Sequence, residues 1–203
     1  MTAASGDCLA YGHHTLSSIR TSLSEDVVRY LNRWQENGTA REDFQHRASA
    51  FLTPSVLCLL FHRAAHCLYV NGWRRLARAV SRLNFFFHKV SITPQSCIGP
   101  GCLVPHPAAV SFHGRAGREL SLYSLAVCCP LEGSLEGPVE TGPSLGDRVT
   151  VGAHAVLLGP ITVGADTKIA FSVRLDRDAP PGMLVISRSL RQARRPILAG
   201  EIP

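Results

Sequence analysis

The sequence predicts an α+β protein in which an N-terminal α-helical bundle is followed by a parallel β-helix built from six-residue repeats. Three observations carry this. Apolar residues recur at helical spacing through the first 90 residues. From residue 91 that periodicity stops, and Gly and Pro become frequent. An aliphatic residue then returns every six positions. With 203 residues, 45% hydrophobic and 18% charged, the chain can bury one core with a helical attachment.

Residues 1–23 are polar and Ser/Thr-rich, and a loose tail is expected there. Ser24 is the expected N-cap of a first helix, with Glu25 and Asp26 in its first turn. Val27, Leu31 and Trp34 follow at helical spacing, and Asn37-Gly38 ends that helix. A short helical stretch is expected around 41–50. Pro54 opens the next helix, which runs to about Val70 and stops at Asn71-Gly72. A further helix carries Leu76, Val80, Leu83 and Phe87 on one face, with Arg74, Arg75, Arg78 and Arg82 largely on the others.

The clearest repeats begin at Leu145, Val151, Leu157, Val163 and Ile169, and Gly146, Gly152 and Gly164 follow three of these. An earlier block runs Ile92, Ile98, Val104, Val110, Ala116, Leu122. The interval from Leu122 to Leu145 is not a multiple of six, so an insertion is expected at 128–144. Three repeats make one triangular coil. Each aliphatic residue points inward onto its counterpart one coil away, at a coil spacing of about 4.8 Å. The glycine after it is expected to accommodate the tight turn. An antiparallel sandwich would instead alternate with period two. The organisation so read is a tail at 1–23, helices at 24–90, repeats at 91–182 and a basic tail at 183–203.

The net charge is +6, from 21 basic and 15 acidic residues, and all the basic residues except Lys89 and Lys168 are Arg. Such a charge suits an anionic ligand. No recognition motif or interleaved aromatics point to nucleic acid, and none is expected as a partner. The longest apolar run, at 56–61, is far shorter than the roughly 20 residues of a membrane span, so no membrane partner is expected. Residues 1–7 show no basic or apolar signal region. Seven Cys, with neither C-x-x-C nor a zinc pairing, read mostly as buried small hydrophobes in a reduced, cytoplasmic protein. His62 and His66 stand at i and i+4 without a third ligand, so no metal is expected. His66 is expected to pack or cap at the top of the coils.

The junction of the two halves carries a resemblance. RAAHCL at 63–68, Gly72 and Leu76-Ala77 look like the last helices of the serine O-acetyltransferase family. ITPQSCIGPG at 92–101 is similar to its first coil, usually I-H-P-x-A-x-I-G-x-G, and VGAHAVLLG at 151–159 to its I-G-A-G-A-x-I-L-G. Pro105-His106 falls where the family carries D-H. The resemblance covers roughly residues 24–192. It implies a left-handed parallel β-helix of hexapeptide repeats, assembled as homotrimers or hexamers. It also implies an acyltransferase of cysteine biosynthesis, moving acetyl from acetyl-CoA to the hydroxyl of serine or a similar small acceptor.

On this resemblance His106 is the general base, since imidazole titrates near neutrality and can take a hydroxyl proton. His113, expected on the next side of the same coil, is the substitute. CoA is expected along Gly152, Ala170 and Ser187, with Arg188 or Arg191 gripping phosphate. Asp43, Ser91 and Glu140 are the candidate substrate contacts, and Glu132 and Glu136 are further loop acids. His154 reads as a surface residue where the family prefers Gly. Four positions depart from the family pattern. The orienting Asp, upstream of the base, falls on Ser91. The Asp before the base is Pro105, the I-H-P His is Thr93, and the second His falls on Thr141 or Gly142. An imidazole without an orienting carboxylate loses control of tautomer and geometry. Two other readings therefore stand beside the first: a scaffold or regulatory partner that keeps the trimer, and an acyltransferase with an altered acceptor or donor in a specialised biosynthetic pathway.

Overall fold

A computed structural model describes residues 15–36, 52–132 and 137–187. Helix α1 (Leu16–Glu36) starts well before the expected Ser24 cap. The reason is a reciprocal cap. Thr15 Oγ1 accepts from the Ser18 N–H at 3.3 Å, and Ser18 Oγ accepts from the Thr15 N–H at 3.4 Å. Residues 16–23 are thus helix rather than tail, and Ser24, inside it, donates back to the Thr21 carbonyl at 2.7 Å. Helix α2 (Pro54–Val70) opens on the proline, as expected. Helix α3 (Arg74–His88) ends on Lys89 in the left-handed region, φ 56°. The expected stretch at 41–50 lies outside the described residues. No described helix is long and apolar enough to cross a membrane.

The second half is a three-faced prism of parallel strands. The first face holds β1 (Val90–Ile92), β3 (Val110–Phe112), β6 (Val127–Cys129), β9 (Val156–Leu158) and β12 (Arg174–Leu175). The second holds β2 (Cys97–Ile98), β4 (Arg115–Ala116), β7 (Ser144–Leu145) and β10 (Thr162–Val163). The third holds β5 (Ser121–Leu122), β8 (Thr150–Val151), β11 (Lys168–Ile169) and β13 (Leu184–Val185). Leu145, Val151, Leu157, Val163 and Ile169 are buried in one core, as their spacing predicts.

A regular coil takes three hexads, as between Thr150 and its partner Lys168. Two places deviate. Ile92 pairs with Phe112, where a regular coil would bring Val110, so the expected hexad step from Val104 to Val110 fails. The corner that carries His106 is longer than a regular corner. Phe112 then pairs with Cys128, where a regular coil would bring Pro130, and this shorter step restores the count. The second deviation is the insertion: Ser121 pairs with Thr150, where a regular coil would bring Val139.

The hexad glycines have a cause other than the expected turn. Gly99 and Gly152 do not have positive φ. A Cβ on Gly99 would stand 2.5 Å from the Gly117 carbonyl oxygen, and one on Gly152 would stand 2.7 Å from that of Ile169. The backbone of the next coil passes too close for a side chain. The left-handed residue comes two positions later, at Gly101, Glu119, Leu125, Arg148, His154, Asp166 and Ser172, with φ between 55° and 76°. All of these except Gly101 carry a conformational cost of about 1–2 kcal/mol each.

One buried ion pair joins the helices to the first coil. Arg63 on α2 meets Asp26 on α1 at 3.2 Å, with side chains 2% and 0% exposed. The same guanidinium donates to the carbonyls of Ile98 and Gly99, and Asp26 accepts from the Cys102 N–H at 2.7 Å. Burial raises the Asp26 carboxyl above its ordinary range, while Arg63 and the Cys102 amide oppose that rise. Cys58, Cys102 and Cys128 are buried free thiols, as expected of small hydrophobes, and burial pushes Cys102 up to about 12.

Replacing Arg63 by Met leaves the buried Asp26 carboxyl without its partner, so urea unfolding should show a loss of about 3–5 kcal/mol. The double variant with Asp26→Asn should recover part of it. Within the hexad starting at Val151, Gly152→Ala should cost about 1–3 kcal/mol by overpacking, whereas His154→Gly should be neutral or stabilising. Thermal unfolding of the pair separates close approach from turn conformation as the role of the second position.

Candidate active site

His106 sits on the widened corner between the third face and the first. It is exposed and flanked by Pro105 and Pro107. Its carbonyl accepts from the Ala108 N–H at 2.8 Å and from Ser124 Oγ at 3.1 Å. Ser55, at the start of α2, donates to the Pro105 carbonyl at 3.0 Å and so fixes the corner against the helices. No side chain among the described residues hydrogen-bonds the imidazole of His106. Ser91 lies mid-strand in β1, beside Ser111, on the outward-facing position of the first face.

The same edge of the prism continues below His106. Successive coils place Ser124, Gly152 and Ala153, Ala170, and Ser187 on this edge. The His154 N–H donates to the Ser124 carbonyl at 3.1 Å and the Ser172 N–H to that of Ala153 at 2.9 Å. Four coil steps at about 4.8 Å put Ser187 about 19 Å from the His106 level. The structure thus brings His106, Gly152, Ala170 and Ser187 onto one edge. Gly152 has backbone packed against its Cα, and Ala170 is half-buried. Asp43, Glu136, Arg188 and Arg191 lie outside the described residues.

His113 and Glu140 fall on a different edge, between the first and second faces, where the insertion emerges. His113 is fully buried, and both ring nitrogens are engaged. Nε2 is 3.2 Å from the Pro138 carbonyl, which can only accept, so Nε2 carries the proton. Nδ1 lies 3.0 Å from Thr93 Oγ1, and Thr93 meets Ser96 Oγ at 2.8 Å. This arrangement ties the first coil, the second coil and the inserted loop together. It leaves no lone pair on His113 free for a substrate. Glu140 pairs with Arg115 at 2.6 Å. Its carboxyl is held low, first by its own backbone amide and then by Arg115. Glu132 is exposed near the insertion. His66, as expected, reaches the top of the coils, with Nδ1 2.8 Å from the Pro94 carbonyl.

Sequence reasoning missed the Thr93–His113–Pro138 chain. The signal that could have found it is a register one: Thr93 and His113 become neighbours only if the coil between them is longer than three hexads.

A helical cap, three-faced coils and one edge lined by a histidine and small residues define a hexapeptide-repeat protein of the acyltransferase fold. No family model matches the chain. Curated relatives do. The chain is 32% identical to the serine acetyltransferase of Helicobacter pylori (strain ATCC 700392 / 26695) over 81% of its own length and 92% of that protein's. It is 33% identical to that of Mycobacterium tuberculosis over 67% of this chain and 59% of the relative. Among solved structures, Neisseria gonorrhoeae serine acetyltransferase superposes with a TM-score of 0.72 at 23% identity, over 85% of this chain and 65% of that one. The soybean apoenzyme gives 0.67 at 27% identity, over 80% and 65%. The chain belongs to the serine acetyltransferase family. A mirror-image prism would not superpose, so the β-helix is left-handed, as the resemblance implies.

His113→Phe fills the same cavity without a hydrogen-bonding nitrogen, leaving the Thr93 hydroxyl and the Pro138 carbonyl short of a partner. It should lower the melting temperature and speed amide exchange at Val139–Thr141, with the coils below Leu145 unaffected. Unchanged exchange at that turn would show that the loop does not depend on His113.

Proposed function

We propose that the protein is a CoA-dependent O-acyltransferase that moves acetyl, or a similar acyl group, to the hydroxyl of serine or another small acceptor. The observation that carries this is His106, an exposed imidazole at the head of an edge that continues through Gly152, Ala170 and Ser187. In this reading acyl-CoA lies along that edge, with the thioester beside His106 and the nucleotide towards Ser187, Arg188 and Arg191. His106 removes the acceptor's proton as its oxygen attacks the thioester carbonyl. The tetrahedral intermediate collapses, and the imidazolium returns the proton to the departing CoA sulfur. The names of the relatives support the reaction class, and one Neisseria gonorrhoeae neighbour was solved in complex with serine. The expected cytoplasmic location goes with an acyl-CoA substrate.

A threefold assembly belongs to this reading. Within one chain the inserted loop and His106 occupy different edges of the prism, so Glu140 does not reach the imidazole of its own chain. In a ring of three, the loop edge of one copy can face the His106 edge of the next. Asp43 and Ser91 remain candidate acceptor contacts in that composite site.

A second reading, a catalytically impaired scaffold, is favoured by one observation: nothing among the described residues orients the His106 ring. Acyl transfer by the parent, His106→Ala and Ser91→Asp separates the two. An active enzyme should lose about 100- to 10,000-fold on His106→Ala with an unchanged melting temperature. Ser91→Asp should raise kcat by supplying a carboxylate. Full activity in His106→Ala would place the base elsewhere, and a parent inactive with every acyl-CoA and acceptor tried would favour the non-catalytic reading. Light scattering that finds a stable monomer at micromolar concentration would remove the composite site.

A further inference from the structure

Helix α3 touches the molecule through a narrow face, with Ala77 and Asn84 buried, Ser81 Oγ donating to the Ile92 carbonyl at 3.1 Å, and Asn84 Nδ2 donating to that of Cys58 at 2.9 Å. One flank of that face is cationic. Arg74, Arg78 and Arg82 follow one another at i, i+4 and i+8, so they form a single stripe about 12 Å long. This stripe is one wall of a cleft of about 880 Å³. Thr93, Pro94 and Gln95 form its floor, and the Gly137–Glu140 segment of the inserted loop forms the opposite wall.

The charge in this cleft is uncompensated. Among the described residues, none of the three arginines pairs with a carboxylate. The acid lining the cleft, Glu140, is already taken by Arg115 at 2.6 Å. Like charges one helical turn apart destabilise a helix unless an anion sits between them. Arg74 also lies 5.8 Å from the centre of the Tyr69 ring, which closes one end of the cleft.

We propose that this cleft binds a small polyanion carrying a chain of phosphates. Guanidinium forks grip phosphate oxygens in pairs, and three forks one turn apart match a linear run of anionic groups better than a single carboxylate. Gln95 adds a neutral amide at the floor. The cleft volume is that of a small-molecule site. The site stands at the helical end of the β-helix, on the loop edge, away from the His106 edge of the same chain. Two sources share this chemistry: a free phosphorylated molecule and the phosphates of CoA.

The test is calorimetry on the full chain at low salt, with no acyl-CoA present, so that its failure says nothing about His106. Inorganic phosphate, pyrophosphate and tripolyphosphate are the probes. Affinity should rise along that series and fall steeply with added salt. Arg78→Gln with Arg82→Gln should weaken tripolyphosphate by about 10- to 100-fold or more. Both side chains are exposed, so the fold should survive, which circular dichroism checks. Should that variant melt early, Arg78→Lys with Arg82→Lys keeps the charge, loses the fork and should still bind more weakly than the parent. Arg177→Gln, on an exposed arginine beyond β12, should change nothing. Absence of binding at millimolar tripolyphosphate, or an equal loss in Arg177→Gln, overturns the proposal. A CoA titration then names the source. A parallel loss of CoA affinity in the double variant assigns the phosphates to CoA and overturns the placement of its nucleotide towards Ser187, and unchanged CoA affinity assigns them to a separate molecule.

Discussion

The close stacking of one coil on the next is the constraint on which the rest of the structure depends. Each coil hydrogen-bonds the one above along three faces at once, so every regular side must consume the same number of residues. That demand puts an aliphatic residue at the first position of the hexad, where Leu145, Val151, Leu157, Val163 and Ile169 fill the prism. It also empties the second position in hexads such as those of Gly99 and Gly152, because the neighbouring carbonyl of Gly117 or Ile169 lies where a Cβ would go. The sharp corner needed to keep the chain on the triangle falls at the fourth position, and there even Leu125 and His154 accept left-handed backbone. Stacking energy summed over the coil outweighs the local cost at each such residue.

The helices use a different device. A small polar region docks them to the coils, beside Cys58 and Leu59 of α2, which join the apolar core of the coils. Arg63 and Asp26 neutralise one another while their remaining donors and acceptors satisfy the Ile98 and Gly99 carbonyls and the Cys102 amide. Arg29 repeats the strategy from α1, donating to the Gly101 carbonyl at 2.5 Å and to Ser121 Oγ at 2.9 Å. Apart from the Ser121 hydroxyl, these groups belong to the first coil, which has no coil above it to bond. The helical half thus serves as the cap that a stacked fold requires at its open end.

This division explains what was legible beforehand. The hexads could be read because stacking repeats its demand at every hexad. Helix α2 could be read because Pro54 and Asn71-Gly72 bracket it. The start of α1 was misplaced because Thr15 and Ser18 cap each other without an acidic residue, while Ser24-Glu25-Asp26 imitates a helix start in mid-helix. Val110 was placed in register because it is an aliphatic residue six positions after Val104, but this short strand buries both ends, and Phe112 is the residue paired with Ile92. His106 was legible as a motif. That His113 would be locked away with Thr93, and that His106, Gly152, Ala170 and Ser187 would share an edge, depends on corner lengths that no local pattern encodes. The cationic stripe was visible as a run of arginines, but the wall facing it comes from the inserted loop, which is distant in sequence.

The widened corner shows how such a fold can carry a site without spreading strain. Ile92 overshoots its regular partner, Val110, to reach Phe112, and Phe112 falls short of Pro130 by the same margin in reaching Cys128, so the two coils together keep the regular total. On the other faces Cys97 still meets Arg115, and Leu103 still meets Ser121, at the regular interval. Only β3 is displaced, and only the corners at its two ends differ. One corner gains room and exposes His106, while the other tightens and buries His113 beneath the loop. The same register shift that opens one edge therefore anchors the insertion on the next. The position of the exposed imidazole and the anchoring of the loop are linked through the displacement of β3.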